Sequence, residues 1–222
     1  DRKFLFLFGC FLVSFGQALM SGGCLTGFES CFRFYPFAAL AGAALCGGYV
    51  LLGATWLILK TEGALQAKAL RWARWGLLWV AFGVALVSLA TPLVSTTVEQ
   101  KWFAQFPFPP HAPWLMLLPL ATLAAGWWVW RATGRLKNKR ASADWTPFAG
   151  ATAIFVLAFA GLAYSLFPYV VMDKLTIWQA ASHPSALNMV LAGVVIVLPF
   201  LLAYTVFAYR VFSGKARTGL YD

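Results

Sequence analysis

The residues best placed to do chemistry stand together at the end of an apolar run. Lys60-Thr61-Glu62-Gly63 closes the stretch Gly48 to Leu59. An ammonium, a hydroxyl and a carboxylate so close together could admit a proton at a membrane surface or contact a partner. The same residues could also stop one helix and start the next. Few other groups compete. The cysteines are Cys10, Cys24, Cys31 and Cys46, with no Cys-x-x-Cys pair. Cys10 and Cys46 read as small apolar residues within helices. Cys24 and Cys31 share one loop and are either free or bridged, since their Cα separation decides the matter. His111 and His183 fall in different loops and read as solvated residues rather than ligands. No catalytic triad, phosphate loop or acid pair can be assembled, so catalytic, cofactor and metal residues are all read as none.

The elements that carry these residues follow from composition. Of 222 residues, 61% are hydrophobic and 11% charged, and the mean hydropathy is +0.75. Soluble domains carry about 25% charged residues, so the chain is read as an integral membrane protein. A bilayer core of about 30 Å needs roughly 20 apolar residues in a helix. Six runs qualify: Phe4–Gly22, Pro36–Leu59, Trp75–Val94, Pro113–Trp130, Pro147–Val170 and Ala186–Phe212. Continuous runs exclude a β-barrel, whose strands alternate. The expected fold is an all-α, polytopic membrane helix bundle of six transmembrane helices, one domain over residues 1–222. Asp1-Arg2-Lys3-Phe4 is read as the entry to the first span of a chain whose start lies upstream, not as a signal peptide.

Charge gives an orientation. One side would hold both ends and the loops around residues 60–74 and 131–144, with fourteen basic and four acidic residues. The other side would hold Arg33, Lys101 and Lys174 against Glu29, Glu99 and Asp173. The net charge of +10 therefore falls on one face, and by the positive-inside rule both ends are expected in the cytoplasm. That use of the charge argues against nucleic acid as a partner.

Within the spans, Ala41, Ala44 and Gly48 form a small-residue stripe: a helix-packing seam, or room for a quinone or lipid tail. Gln17 and Asn188 are amides expected to bond neighbouring helices, with a quinone head group as the alternative. Pro199 should kink the sixth span. No span carries a carboxylate away from its ends, so the chain lacks the intramembrane acids of a proton wire.

The Lys60 cluster then reads first as a turn. Lys60 would end a span with its ammonium in water. Thr61 would N-cap the next helix, and Glu62 in its first turn would complement the helix dipole. Gly63 would supply the reversal. Lys68, Arg71 and Arg74 would follow on an interfacial stretch, with Trp72 and Trp75 at headgroup level. Proton entry or partner contact stays open as the other reading.

Two blocks carry a resemblance. The first runs Gly48-Tyr49, Leu51 to Leu57, Lys60 to Gly63, then Leu65-Gln66. The second runs Ser165 to Pro168, Leu175 to Trp178, Ala180-Ala181, Pro184-Ser185, Pro199, Tyr204-Thr205, Tyr209, Val211-Phe212 and Gly214-Lys215. Phe15-Gly16-Gln17-Ala18 adds a weaker match. In order and separation they resemble subunit II of cytochrome bd-type quinol oxidases, including the cyanide-insensitive branch. The resemblance implies a non-haem subunit of a heterodimeric oxidase in the bacterial cytoplasmic (inner) membrane. Its partner, subunit I, would carry haems b and d, or b only, and oxidise quinol. The complex would reduce dioxygen to water and build a proton gradient. A small single-helix accessory subunit, lipid and quinone are further implied partners.

Family members are longer at the N-terminus, so the chain would correspond to the C-terminal two-thirds of the family fold. The family's proton-path acids and quinone pocket belong mainly to the earlier helices, and none is carried over. Lys60, Thr61, Glu62, Gly63, Gln66 and Trp178 remain as candidates for a structural turn and anchor or for partner contact. The competing class is a small-solute or lipid transporter. It would need paired interrupted helices and midplane polar groups, whereas only Pro199 clearly interrupts a span.

Overall fold

The computed structural model describes residues 2–26, 34–94, 117–138, 143–211 and 214–215. The apolar runs form helices because a helix satisfies its own backbone polar groups without water. They are α1 (Arg2–Thr26), α2 (Phe34–Lys60), α3 (Gly63–Val94), α4 (Leu117–Lys137), α5 (Thr146–Leu166), the single turn α6 (Ile177–Ala180) and α7 (Pro184–Val211). Between α5 and α6 lie two short antiparallel strands, β1 (Tyr169–Val171) and β2 (Leu175–Thr176).

The core is a four-helix arrangement. α2 and α3 form a hairpin, α5 packs on α2, α4 packs on α3 and on α5, and α1 flanks α2. Leu51 and Ile58 of α2, Ala69, Ala73 and Leu77 of α3, Val129 of α4 and Ile154 of α5 are buried together. The hairpin is tight because small residues face each other. A Cβ on Gly83 would come within 2.5 Å of the Ala44 Cβ. On the side of α2 facing α5, a Cβ on Gly48 would meet the Phe155 ring at 2.7 Å. Ala44 and Gly48 thus sit in helix contacts. Among the described residues, the two fully buried hydroxyls are satisfied within their own helices: Thr55 donates to the Leu51 carbonyl and Thr133 to the Val129 carbonyl, each at 2.9 Å.

Three expectations change. First, among the described residues five helices are long and apolar enough to cross a membrane: most of α1, α2, α3, α5 and α7. Residues 117–130 of the expected span 113–130 lie in α4, and residues 113–116 lie outside the described residues. The second half of α4 carries Trp127, Trp128, Trp130, Arg131 and Arg135, which offset its apolar first half.

Second, the fifth span stops at Leu166, not at Val170. Phe167 donates the last helical bond to Ala163 at 2.9 Å, and the Phe167–Pro168 peptide is cis. Tyr169-Val170-Val171 is apolar enough to extend the run on paper, yet it forms β1. Asp173 takes a left-handed turn at φ 57°, and Met172 donates to the Cys24 carbonyl at 2.9 Å. The ribbon is therefore tied to the end of α1, and the all-α bundle carries a small β element.

Third, α7 does not pack along the bundle. It is exposed throughout, apart from half-buried Ala208, and it continues through Pro199. Its attachment lies at its C-terminal end. There Tyr209 meets the Trp56 ring edge-on with centroids 5.7 Å apart, and Trp56 also meets Phe148 at 5.1 Å.

Candidate functional site

The turn between α2 and α3 is made by few residues. The Thr61 N–H donates to the Leu57 carbonyl at 2.9 Å and its hydroxyl donates to the same oxygen at 2.6 Å. Thr61 thus closes the end of α2, where the last carbonyls lack helical donors. This corrects the expectation that it would cap the following helix. Glu62 directly precedes α3 rather than lying in its first turn. Gly63 opens α3 at φ +67°, a conformation that costs a side chain about 1–2 kcal/mol. Gln66, one turn on, donates its side-chain amide to the Ile58 carbonyl at 3.1 Å and staples the two helices.

Lys60 and Glu62 turn towards the far end of the chain. The Lys60 ammonium lies 5.2 Å above the Trp56 ring and donates to the Gly214 carbonyl at 3.4 Å. Glu62 sits 3.4 Å from the Lys215 ammonium, which also donates to Asp144 just before α5. The hydrogen bond to Asp144 raises the Lys215 pKa above the ordinary lysine range, and both carboxylate charges add to the effect. The sequence does not single out Asp144, Lys215 or Trp56 as site residues, although Trp56 and Lys215 stand in the two matching blocks and the charge balance puts residues 62, 144 and 215 on one side.

Trp178 is separate. Lys215 joins the start of α5 to the 60–63 turn, whereas Trp178 follows the end of α5, a helix of 21 residues and therefore about 31 Å long. It is 68% exposed and meets Phe167 edge-on with centroids 6.2 Å apart. Its short helix is held by a capping box in which Thr176 and Gln179 bond each other's backbone N–H groups. The structure therefore brings Lys60, Thr61, Glu62, Gly63 and Gln66 to one end and places Trp178 at the other.

Other singled-out residues take plain places. Gln17 accepts a hydrogen bond from the Tyr49 hydroxyl at 2.9 Å, joining α1 to α2. Asn188 is exposed on α7. His183 directly precedes α7, with its carbonyl accepting from the Ala186 N–H at 2.9 Å and Nδ1 2.8 Å from the Ser185 hydroxyl. His111 and Cys31, and with it the Cys24–Cys31 pairing, lie outside the described residues. Among the described residues, no three His, Cys, Asp or Glu side chains converge on one point.

Comparison with known proteins gives this arrangement a context. The family described as cytochrome bd terminal oxidase subunit II matches residues 2–212. Cytochrome bd-I ubiquinol oxidase subunit 2 of Escherichia coli is 26% identical over 213 residues, covering 81% of this chain and 52% of that protein. Probable cytochrome oxidase subunit 2 of Haemophilus influenzae is 27% identical over 215 residues, covering 84% of this chain and 54% of that protein. The chain spans about half the length of these curated relatives. The matches do not favour the transporter reading.

Proposed function

The chain belongs to the cytochrome bd terminal oxidase subunit II family, and we propose that it acts as the non-haem subunit of a bd-type quinol:oxygen oxidoreductase. In this reading it supports a subunit I that carries haems b and d, or b only. The complex oxidises quinol, reduces dioxygen to water and generates a proton gradient across the bacterial cytoplasmic membrane. Both ends of this chain face the cytoplasm, as the one-sided basic charge favours. A single-helix accessory subunit and quinone complete the assembly.

The observation that carries the reading is the family match over residues 2–212. The fold supports it through α7, whose apolar side chains are exposed all round. A helix hydrophobic on every side needs lipid or another protein around it. Within this function the Lys60–Gly63 turn and Gln66 serve as turn and anchor, and Trp178 at the opposite end serves partner contact.

Purification from native membranes through a tag on this chain tests the proposal. A larger haem-bearing subunit and quinol-dependent oxygen uptake should co-purify, and the isolated chain should show no haem absorption. Stoichiometric haem in the isolated chain, or a tagged preparation without any haem protein, overturns it.

A further inference from the structure

We propose that the cleft between α3 and the C-terminal half of α4 binds the phosphate of an anionic membrane lipid headgroup. The cleft is open, about 460 Å³ in volume, and lined by Arg74, Arg131, Arg135, Trp127, Trp130 and Gly134 among others. Three guanidinium groups share it and no carboxylate lines it. Among the described residues, no ion pair engages Arg74, Arg131 or Arg135, and the ion pairs of Glu62 and Asp144 are both with Lys215.

Arg74 is set in place before any ligand arrives. Its guanidinium lies 4.8 Å over the Trp130 ring, and a Cβ on Gly134 would come within 3.0 Å of its Nη2. Its Nε is buried, and no described residue accepts a hydrogen bond from it. A buried donor without an acceptor is costly unless an acceptor is supplied. A phosphate presents paired oxygens that match the planar fork of arginine. Arg131, stacked 5.1 Å over Trp127, and Arg135 stand at the same opening.

The level of the cleft names the source of the phosphate. α4 runs from apolar Leu117–Ala125 into Trp127, Trp128 and Trp130, then into Arg131, Arg135 and Lys137. That order is the passage from hydrocarbon through an aromatic belt to the headgroup layer. Trp72 and Trp75 on α3 are exposed beside it in sequence. Basic clefts between membrane helices at this level take anionic lipid headgroups.

The test uses the full-length protein purified from its own membrane with its associated chains. Native mass spectrometry follows the binding of phosphatidylglycerol, phosphatidylcholine or inorganic phosphate from detergent solution. Phosphatidylglycerol should bind in preference to phosphatidylcholine. Arg131→Gln, at an exposed position, should weaken it roughly fivefold. Arg74→Lys, which keeps the charge and loses Nε and the fork, should weaken it as well. Lys68→Gln, outside the cleft, should leave it unchanged. Phosphatidylglycerol binding that ignores both cleft substitutions overturns the site. Displacement of the lipid by an equal concentration of inorganic phosphate overturns the lipid as its ligand.

Discussion

Lys215 holds Glu62 at 3.4 Å while it also donates to Asp144. One ammonium thus joins the α2–α3 turn, the approach to α5 and the segment after α7. Exposed ion pairs contribute about 0.2–1 kcal/mol each, so the clamp sets local geometry more than global stability. Lys215→Met should leave the unfolding midpoint nearly unchanged and speed amide exchange around Tyr209 and Gly214. Glu62→Gln alone leaves Lys215 with Asp144, so assembly and turnover should stay near normal. Adding Asp144→Asn should reproduce Lys215→Met. Normal assembly with lost turnover in Glu62→Gln would give Glu62 a chemical role instead.

The pH dependence of the clamp has a definite sign. The folded Lys215 has a raised pKa, so its contribution is fully present while lysine is charged in both folded and unfolded chains. It is lost as pH rises through the raised value. Energy transfer between labels at the α2–α3 turn and the C-terminal segment should therefore hold constant from neutrality to about pH 10 and fall above the ordinary lysine value of about 10.4. In Lys215→Met the transition should disappear.

Much of this architecture was readable from residue order, because membrane helices declare themselves by length and apolarity. The turn at residue 63 was readable too, since glycine suits a left-handed reversal. What stayed hidden depends on contacts distant in sequence. Nothing near Lys215 announces that Glu62 and Asp144 are its neighbours. Thr61 has the right chemistry for either helix end, and only the position of the Leu57 carbonyl decides between them. Tyr169-Val170-Val171 reads equally well as helix or strand, and its pairing with Leu175-Thr176 decided it. Nor does the apolarity of α7 tell a buried helix from one standing apart, because both are hydrophobic all round.

Gly63 is the position in the turn where a side chain is strained. At φ +67° no neighbour obstructs a Cβ, so the penalty is purely conformational. Gly63→Ala should destabilise the chain by about 1–2 kcal/mol, and Gly63→Asn by less, because asparagine visits this region more readily. Reversible unfolding in mixed micelles checks both. Equal losses would show that space, not backbone conformation, sets the requirement.

Close approach of α2 and α3 depends on Gly47. A Cβ there would lie 2.0 Å from Cδ1 of Trp79, whose Nε1 donates to the Ala43 carbonyl at 2.9 Å. Gly47→Ala must displace the indole and its hydrogen bond together, a loss of about 1–3 kcal/mol. Trp79→Phe removes that hydrogen bond, typically worth about 0.5–1.5 kcal/mol, together with the packing of the larger indole ring. Combining the two should cost less than the sum of the single losses, since the displaced ring has already lost its bond. Unfolding in mixed micelles supplies all three values.

Trp178 offers the most direct test of partner contact. Its ring is mostly exposed, while the turn beneath it is held by Thr176 and Gln179 rather than by the indole. Trp178→Ala should therefore leave the fold intact. If the indole anchors another subunit, its removal should cost about 2 kcal/mol or more of association, as buried interface tryptophans do, which is roughly a thirtyfold loss of affinity. Trp75→Ala is the matched control, since Trp75 is a comparably exposed indole, 74% exposed on α3. Co-purification measured against detergent dilution should separate the two, with the Trp75 variant retaining its partner and the Trp178 variant releasing it. Retention by both would place Trp178 against lipid and return the contact surface to α7.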